Sequence, residues 1–296
     1  MKEMVKRIGI PEKSQRARDR GSEEIGLEIK KKRGKKNAFS MEYREFKSSL
    51  TTLHDLNREI TSAIKTMARG KMEQFKEKVK KLDEKSRKQF HHDYNMFLKN
   101  LGENGKPLDT DAFKMPPKAM ELFCQILQSG IALVYYLRFI RDMSLVYLVA
   151  NFESFMQKSL DKSFRKKPEL LSSSGKSVKY EDFVKCKSMK EARQHIIQKE
   201  IQVVNQDIEE IRNYHRTKLG MEMSDFVDWN EFKERFYRRN IIVHNSSKPN
   251  KLYRMKTGYS GKDERMGVDA DYLAQSIELF GTMARRMTEF LNCKIA

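Results

Sequence analysis

Apolar side chains recur every three or four residues along most of this chain, and no other feature of the sequence constrains the fold as strongly. The clearest run occupies one helical face: Phe46, Leu50, Leu53, Leu56, Ile60, Ile64 and Met67. Only six prolines and fourteen glycines occur among 296 residues, which favours long helices over a turn-rich β-sandwich. Neither strand-like alternation nor a repeat of roughly 20–50 residues is present. The sequence therefore predicts an all-α fold.

The helical pattern extends from residue 41 to about residue 100, and its second half is more charged than apolar. Gly70 is predicted to interrupt this helix. Residues 102–111 combine Gly, Asn, Pro and Asp, as loops do, and mark a domain boundary. The predicted organisation has three parts: a basic, poorly ordered tail (1–40), an N-terminal helical region with its linker (41–111) and a main helical domain (112–296).

The main domain is predicted to be a bundle of helices. Its most apolar stretch, residues 119–160, opens after Pro116-Pro117 and closes before Pro168, because proline is tolerated in the first helical turn but not inside a helix. The remaining predicted elements follow in order: one or two short helices (180–218), a helix over 225–243 capped near Ser224 or Asp228, a long polar loop (248–267) and a final helix capped by Asp269.

The chain carries 60 basic and 41 acidic side chains, so its formal net charge is +19. The excess is concentrated: residues 1–40 hold thirteen basic and six acidic side chains, and residues 65–88 hold ten and four. Residues 169–296 are close to balance, with 23 basic and 19 acidic side chains. The basic tail is compatible with salt-sensitive attraction to nucleic-acid phosphates, and equally with a solvated segment that has no specific partner.

Several function classes are disfavoured by motifs that the sequence lacks. It contains no Gly-x-x-x-x-Gly-Lys loop, dinucleotide fingerprint, His-Glu-x-x-His pair, nucleophile elbow or Cys-x-x-Cys pair. The N-terminus has no apolar signal core, and the longest uncharged run (122–137) is shorter than the roughly 20 apolar residues that cross a bilayer. The adjacent His91 and His92 are read as exposed side chains, with a metal site as the weaker alternative. We therefore expect a soluble, cytoplasmic protein that uses no cofactor, metal or membrane.

One polar constellation lies in the segment 236–247. Asn240 and His244 are four residues apart, so they share a helical face. Arg239 and His244 are five apart, roughly 140° around the helix, and converge only if the helix ends near His244 or a second element closes over that end. Pro249 predicts such an end. In the alternative interpretation, His244 is an ordinary surface residue, and the three aliphatic residues before it anchor the helix in the core.

Glu153 is a second candidate, because it lies on an apolar helical stripe: Val146, Val149, Met156 and Leu160. Burying a carboxylate in such a stripe is costly unless the group is paired. Arg239 is its predicted partner. In the alternative interpretation, Glu153 lies at the edge of the stripe and reaches water.

Together these segments resemble the HEPN family of small helical domains. The family motif is an arginine, four to six residues and then a histidine, usually with a polar residue after the arginine, and Arg239, Asn240 and His244 match it. The segment 142–160 resembles the family's earlier core helix, in which a glutamate lies among aromatic and aliphatic residues. The segment 268–291 resembles its last helix. The resemblance covers residues 118–296 approximately and implies a HEPN-like bundle.

The resemblance implies a metal-independent endoribonuclease that acts as a homodimer on single-stranded or structured RNA, as toxin and antiviral-defence ribonucleases of this family do. The implied catalytic residues are Arg239, His244, Asn240 and Glu153. The flanking polar residues are predicted to bind substrate: Arg235, Arg238, Asn245 and Lys248. A regulatory or antitoxin partner is implied as well.

The chemistry of the histidine and arginine side chains agrees with RNA cleavage. Histidine exchanges protons near neutral pH, and arginine can bind two phosphate oxygens at once. Asn240 is placed to orient the imidazole of His244 or to contact the ribose. A two-fold dimer would bring two Arg239/His244 sets into one cleft, with the 119–160 stretch as the interface. Whether His244 acts as base, acid or both stays open at this point.

Two alternatives belong to other classes. One is a non-catalytic HEPN-like dimer that binds RNA or a protein. The other is an adaptor in which residues 41–100 form a coiled coil whose basic face binds DNA.

Overall fold

The computed structural model describes residues 38–103, 114–172, 186–262 and 264–295. These residues form helices, turns and irregular segments without a strand, so the predicted all-α fold is confirmed for the described chain. The helices are α1 (Ser40–Lys80), α2 (Glu84–Glu103), α3 (Pro117–Lys166), α4 (Glu169–Ser172), α5 (Met189–Ile201), α6 (Ile208–Leu219), α7 (Trp229–His244), α8 (Lys251–Thr257) and α9 (Ala270–Lys294). Residues 1–37 of the predicted tail and most of the predicted loop at 102–111 lie outside the described residues. The last residues of the predicted tail are ordered instead, because Phe39 is buried in the core and Ser40 begins α1.

Helix α1 continues through Gly70, so the predicted interruption there is wrong. A single glycine inside a helix costs only about 1 kcal/mol relative to alanine. Gly70 is exposed, and no atom would crowd a side chain at this position. Apolar residues on both sides of Gly70, such as Ile64 and Val79, are buried and hold the helix in register.

Helix α3 begins at Pro117 and ends at Lys166, as the flanking prolines predicted. Within the described residues it is the one helix whose length and composition would allow it to cross a bilayer, although the sequence had indicated too short an uncharged run. Only 22% of its most apolar 18-residue window is buried. The core helix of a soluble protein meets the same criterion, so this finding is weak evidence for a membrane.

The described residues group into two compact units. The larger unit contains residues 38–59 and the described part of 138–295, and the smaller unit contains residues 60–103 and 114–137. The sequence had placed 41–59 in an N-terminal region instead; the predicted domain division stays a prediction.

The larger unit is built around aromatic rings contributed by several helices. Phe152 of α3 contacts Phe232 of α7 and Phe280 of α9, with ring centroids 5.4 and 5.1 Å apart, and Phe232 lies 4.7 Å from Phe280. Phe46 of α1 lies 5.7 Å from Phe152. Because each buried phenylalanine stabilises the fold by about 1.5–3 kcal/mol, these rings fix α3, α7 and α9 against one another.

Two predicted helix starts in this unit are confirmed. Asp228 accepts a hydrogen bond from the Glu231 N–H at the start of α7, and Asp269 accepts one from the Tyr272 N–H at the start of α9. The predicted short helices within 180–218 correspond to α5 and α6.

The predicted polar loop over 248–267 is wrong in part, because residues 251–257 form α8. Asn250 caps this helix by accepting from the Tyr253 N–H, and Gly258 ends it at φ 73°. Tyr253 is only 2% exposed, so a tertiary contact anchors a segment whose sequence is otherwise loop-like.

The smaller unit has its own core, formed by the second half of α1, by α2 and by the first half of α3. Phe90 and Tyr94 stack with centroids 5.8 Å apart, and Phe123 meets both of them edge-on. Val79 and Ile126 complete the buried contacts around these rings.

Candidate active site

A polar cleft of about 400 Å³ lies on the larger unit, where the start of α6 faces α3 and α7. Helix α3 contributes Glu153, and α7 contributes Arg239 and Asn240. The opposite wall is formed by the turn that leads into α6: Asn205, Gln206, Asp207 and Ile208. The cleft therefore combines three of the four predicted catalytic residues.

Arg239 and Glu153 form an ion pair across this cleft, so their predicted pairing is confirmed. The guanidinium group donates through Nη2 to the Glu153 carboxylate. The two side chains are 23% and 25% exposed, so the pair is only partly shielded from water. Burial raises the pKa of Glu153, and the neighbouring Arg239 opposes that rise.

One donor of the Arg239 guanidinium group has no partner within the described part of the chain. Its Nε is buried and has no hydrogen-bond partner among the described residues. A buried N–H without a partner is costly, and this one is shielded from a ligand in the cleft as well as from water. Glu153 thus orients Arg239 without consuming all of its donors.

The structure places His244 apart from these residues. It is the last residue of α7, it is exposed, and it does not line the cleft, whereas Asn240, one turn earlier, does. The helix ends where the sequence predicted: the Ile241 carbonyl accepts from the N–H groups of both Asn245 and Ser247. Within one chain, this ending does not bring His244 to the Arg239 side.

Arg235 and Arg238, predicted to bind substrate, are engaged inside the protein. Arg235 is 6% exposed, lies 4.5 Å from the Tyr272 ring and donates to the Ser276 hydroxyl. The Arg238 side chain is 11% exposed, donates to Glu234 of its own helix at 2.9 Å and lies 5.0 Å from the Tyr272 ring. Both guanidinium groups therefore hold α7 against α9, which differs from the predicted contacts with RNA.

The other two predicted substrate residues follow α7. Asn245 donates from its side chain to the Lys248 carbonyl at 2.6 Å, so it shapes the turn. Ser246 and Ser247 adopt positive φ angles of 50° and 63°, and the Ser247 carbonyl accepts from the Met266 N–H. Lys248 is exposed beside this turn, and its contact with substrate stays a prediction.

Tyr237 and Asp207 form a further polar pair in the cleft, which the sequence did not indicate. The Tyr237 hydroxyl donates to both oxygens of the Asp207 carboxylate, at 3.0 and 2.9 Å. Burial raises the pKa of Tyr237, and the hydrogen bond to Asp207 raises it further. The role of Asp207 as the N-cap of α6 could have been read from the sequence, whereas its contact with Tyr237 depends on packing.

No group of three or more His, Cys, Asp or Glu side chains is positioned to hold a metal ion in the part of the chain that the structure describes. Comparison of the chain with protein-family models, with curated proteins and with solved structures found no match.

Proposed function

We propose that this protein is a metal-independent endoribonuclease whose reacting groups are Arg239 and His244. The observation that carries the proposal is the cleft in which Glu153 fixes Arg239, with Asn240 beside it and His244 exposed at the end of the same helix. A guanidinium group that is held in place and partly exposed suits a phosphate group, and an exposed imidazole suits proton transfer.

The proposed reaction uses the nucleophile that RNA itself supplies. The ribose 2′-oxygen attacks the adjacent phosphorus, so a bond from phosphorus to O2′ forms while the bond from phosphorus to the 5′-oxygen breaks. One general base takes the 2′-hydroxyl proton, and one general acid gives a proton to the leaving 5′-oxygen. Arg239 stabilises the extra negative charge on the phosphoryl oxygens in the transition state.

The position of His244 supports a site completed by a second copy of the chain. A single imidazole outside the Arg239 cleft cannot serve both proton transfers in one chain, whereas a two-fold dimer supplies two. Helix α3 exposes apolar side chains at every fourth position, Phe139, Met143 and Tyr147, and Val243 next to His244 is 49% exposed. Exposed apolar faces of this kind mark interaction surfaces.

The proposal is tested with purified protein and single-stranded RNA in EDTA. We expect wild type to cleave, and His244→Ala to lose cleavage by at least about 100-fold, since general acid–base catalysis contributes about 10²–10⁴-fold. His54→Ala, which removes another exposed imidazole from the larger unit, is the matched control and should cleave normally. Cleavage that persists in His244→Ala would remove His244 from the mechanism.

The second candidate is a non-catalytic dimer that binds RNA or a protein. The absence of His244 from the residues that line the cleft favours it, because binding needs Arg239 but no proton transfer. This candidate predicts an RNA complex without any 2′,3′-cyclic phosphate product.

A further inference from the structure

We propose that the smaller unit carries a separate binding site for single-stranded nucleic acid, in the cleft between the end of α1 and α2. The site lies outside the Arg239 cleft and needs no catalysis, so it stands whether or not the protein cleaves RNA. Its recognition chemistry is a phosphate backbone with unpaired bases, which single-stranded RNA and single-stranded DNA share.

The site is a concave, aromatic space of about 200 Å³. Phe90 and Tyr94, which are 3% and 5% exposed, lie in its floor, and the half-buried Phe75 forms one wall. This volume is below the roughly 300–1,000 Å³ of an ordinary small-molecule pocket. It suits one flat ring, with the rest of the ligand outside.

Basic side chains surround this space. Lys76, Lys80 and Arg87 line it, and the Lys78 ammonium lies 5.7 Å from the centroid of the Phe75 ring. A ring with cations at its rim is the arrangement by which proteins stack a base and hold the flanking phosphates.

Basic side chains outnumber acidic ones around the cleft. Residues 65–88 contain ten basic and four acidic side chains. Glu73 and Glu77 pair with the cleft residues Lys76 and Lys80 at the exposed surface, where such pairs are weak, and Glu84 pairs with a lysine outside the cleft. The other seven basic side chains of residues 65–88, Arg87 of the cleft among them, have no carboxylate partner in the described part of the chain, and a polyanion would supply one.

The geometry favours a single strand over two other polyanions. A duplex hides the faces of its bases, so it could use the lysines but not the Phe75 wall. An anionic membrane is bound by apolar side chains that project outward, whereas Phe90 and Tyr94 are recessed. Only an unpaired base in a single strand can stack on Phe75 while its flanking phosphates contact the basic side chains.

The binding experiment uses the full chain carrying His244→Ala, so that cleavage does not intervene. Fluorescence anisotropy measures Kd for 5′-fluorescein-labelled oligouridine and oligodeoxythymidine of equal length at several salt concentrations. Lys80→Gln/Arg87→Gln removes two charges at the cleft, and Lys166→Gln/Lys190→Gln removes two exposed charges from the larger unit as the control.

We expect the cleft variant to weaken binding at least tenfold and the control less than threefold. Because each lost phosphate contact lowers the slope of log K against log salt by about 0.7 for single strands, the cleft variant should lose about 1.4 from this slope. Equal weakening in both variants would overturn the site, since it would show attraction to net charge alone. Comparing the two oligonucleotides distinguishes RNA from DNA as the ligand.

A second variant tests stacking directly. Phe75→Trp places an indole in the wall, and its fluorescence should be quenched by the bound strand, with wild type as the reference for Trp229. Phe75→Leu keeps an apolar contact with the core of the unit, yet it should weaken binding about fivefold or more. Unchanged fluorescence in Phe75→Trp, duplex bound as tightly as single strand, or binding to phosphatidylserine vesicles without binding to oligonucleotide would each refute the proposal.

Discussion

The exposure of the ion pair between Arg239 and Glu153 determines how much free energy of unfolding we expect the pair to contribute. Glu153→Gln keeps the shape of the side chain, removes its charge and leaves Arg239 without its carboxylate. Breaking a fully buried pair costs about 3–5 kcal/mol, whereas surface pairs contribute about 0–1 kcal/mol. With both side chains about a quarter exposed, we expect a coupling of about 2 kcal/mol between the two residues.

A double-mutant cycle measures this coupling. The free energies of unfolding of Glu153→Gln, Arg239→Met and the double variant are compared with wild type in urea. Trp229 is the only tryptophan and lies against Phe232, so its fluorescence reports on the larger unit. The double variant should be less destabilised than the sum of the single variants.

The pH dependence of one variant adds a sign to the prediction. Burial raises the pKa of Glu153, and Arg239 opposes this rise, so Arg239→Met should raise that pKa further. The folded state then takes up a proton more readily than the unfolded chain, and stability should increase as the pH falls from 7 to 5. The double variant should lack this pH-dependent component.

A coupling energy between Arg239 and Glu153 below about 0.5 kcal/mol, the usual error of additivity, would refute the reasoning.

Three further predictions concern the larger unit and its activity. Burial lowers the pKa of His215 to about 4, so the unfolded chain binds the proton before the folded chain does. The free energy of unfolding should therefore fall as the pH drops from about 6.5 towards 4. Urea unfolding at pH 5 should show a loss of about 2 kcal/mol that His215→Leu lacks. Asn250→Ala should cost about 1 kcal/mol by removing the cap of α8, whereas Lys251→Ala in the same unfolding assay should cost far less. Induction of wild type should arrest bacterial growth if the protein acts as a toxin. Colony counts after induction should be normal with His244→Ala.

Local signals in the sequence predicted the ends of the long helices well. Pro117 and Asp228 act within one turn of their own positions, so neither needs the rest of the fold to be recognised. Gly70 and the segment 251–257 behaved differently. Buried partners distant in sequence decide their conformation, and such partners are invisible to local propensity.

In the candidate site too, contacts that follow from a local pattern were predictable and contacts that depend on distant residues were not. The Arg239–Glu153 pair was predictable, because a carboxylate in an apolar stripe needs a cation. The burial of Arg235 and Arg238 was not, since it depends on Tyr272 and on Glu234 accepting from that tyrosine. Three arginines close together in the sequence therefore do not make an exposed basic patch.

The ends of the RNA products test the central claim most directly. Wild type in EDTA should leave a 2′,3′-cyclic phosphate on one fragment and a 5′-hydroxyl on the other, because the ribose oxygen is the nucleophile. A single 2′-deoxy substitution at the cleaved nucleotide should stop the cut there. Fragments with 3′-hydroxyl and 5′-phosphate ends, or cleavage at the 2′-deoxy position, would contradict the mechanism proposed for Arg239 and His244.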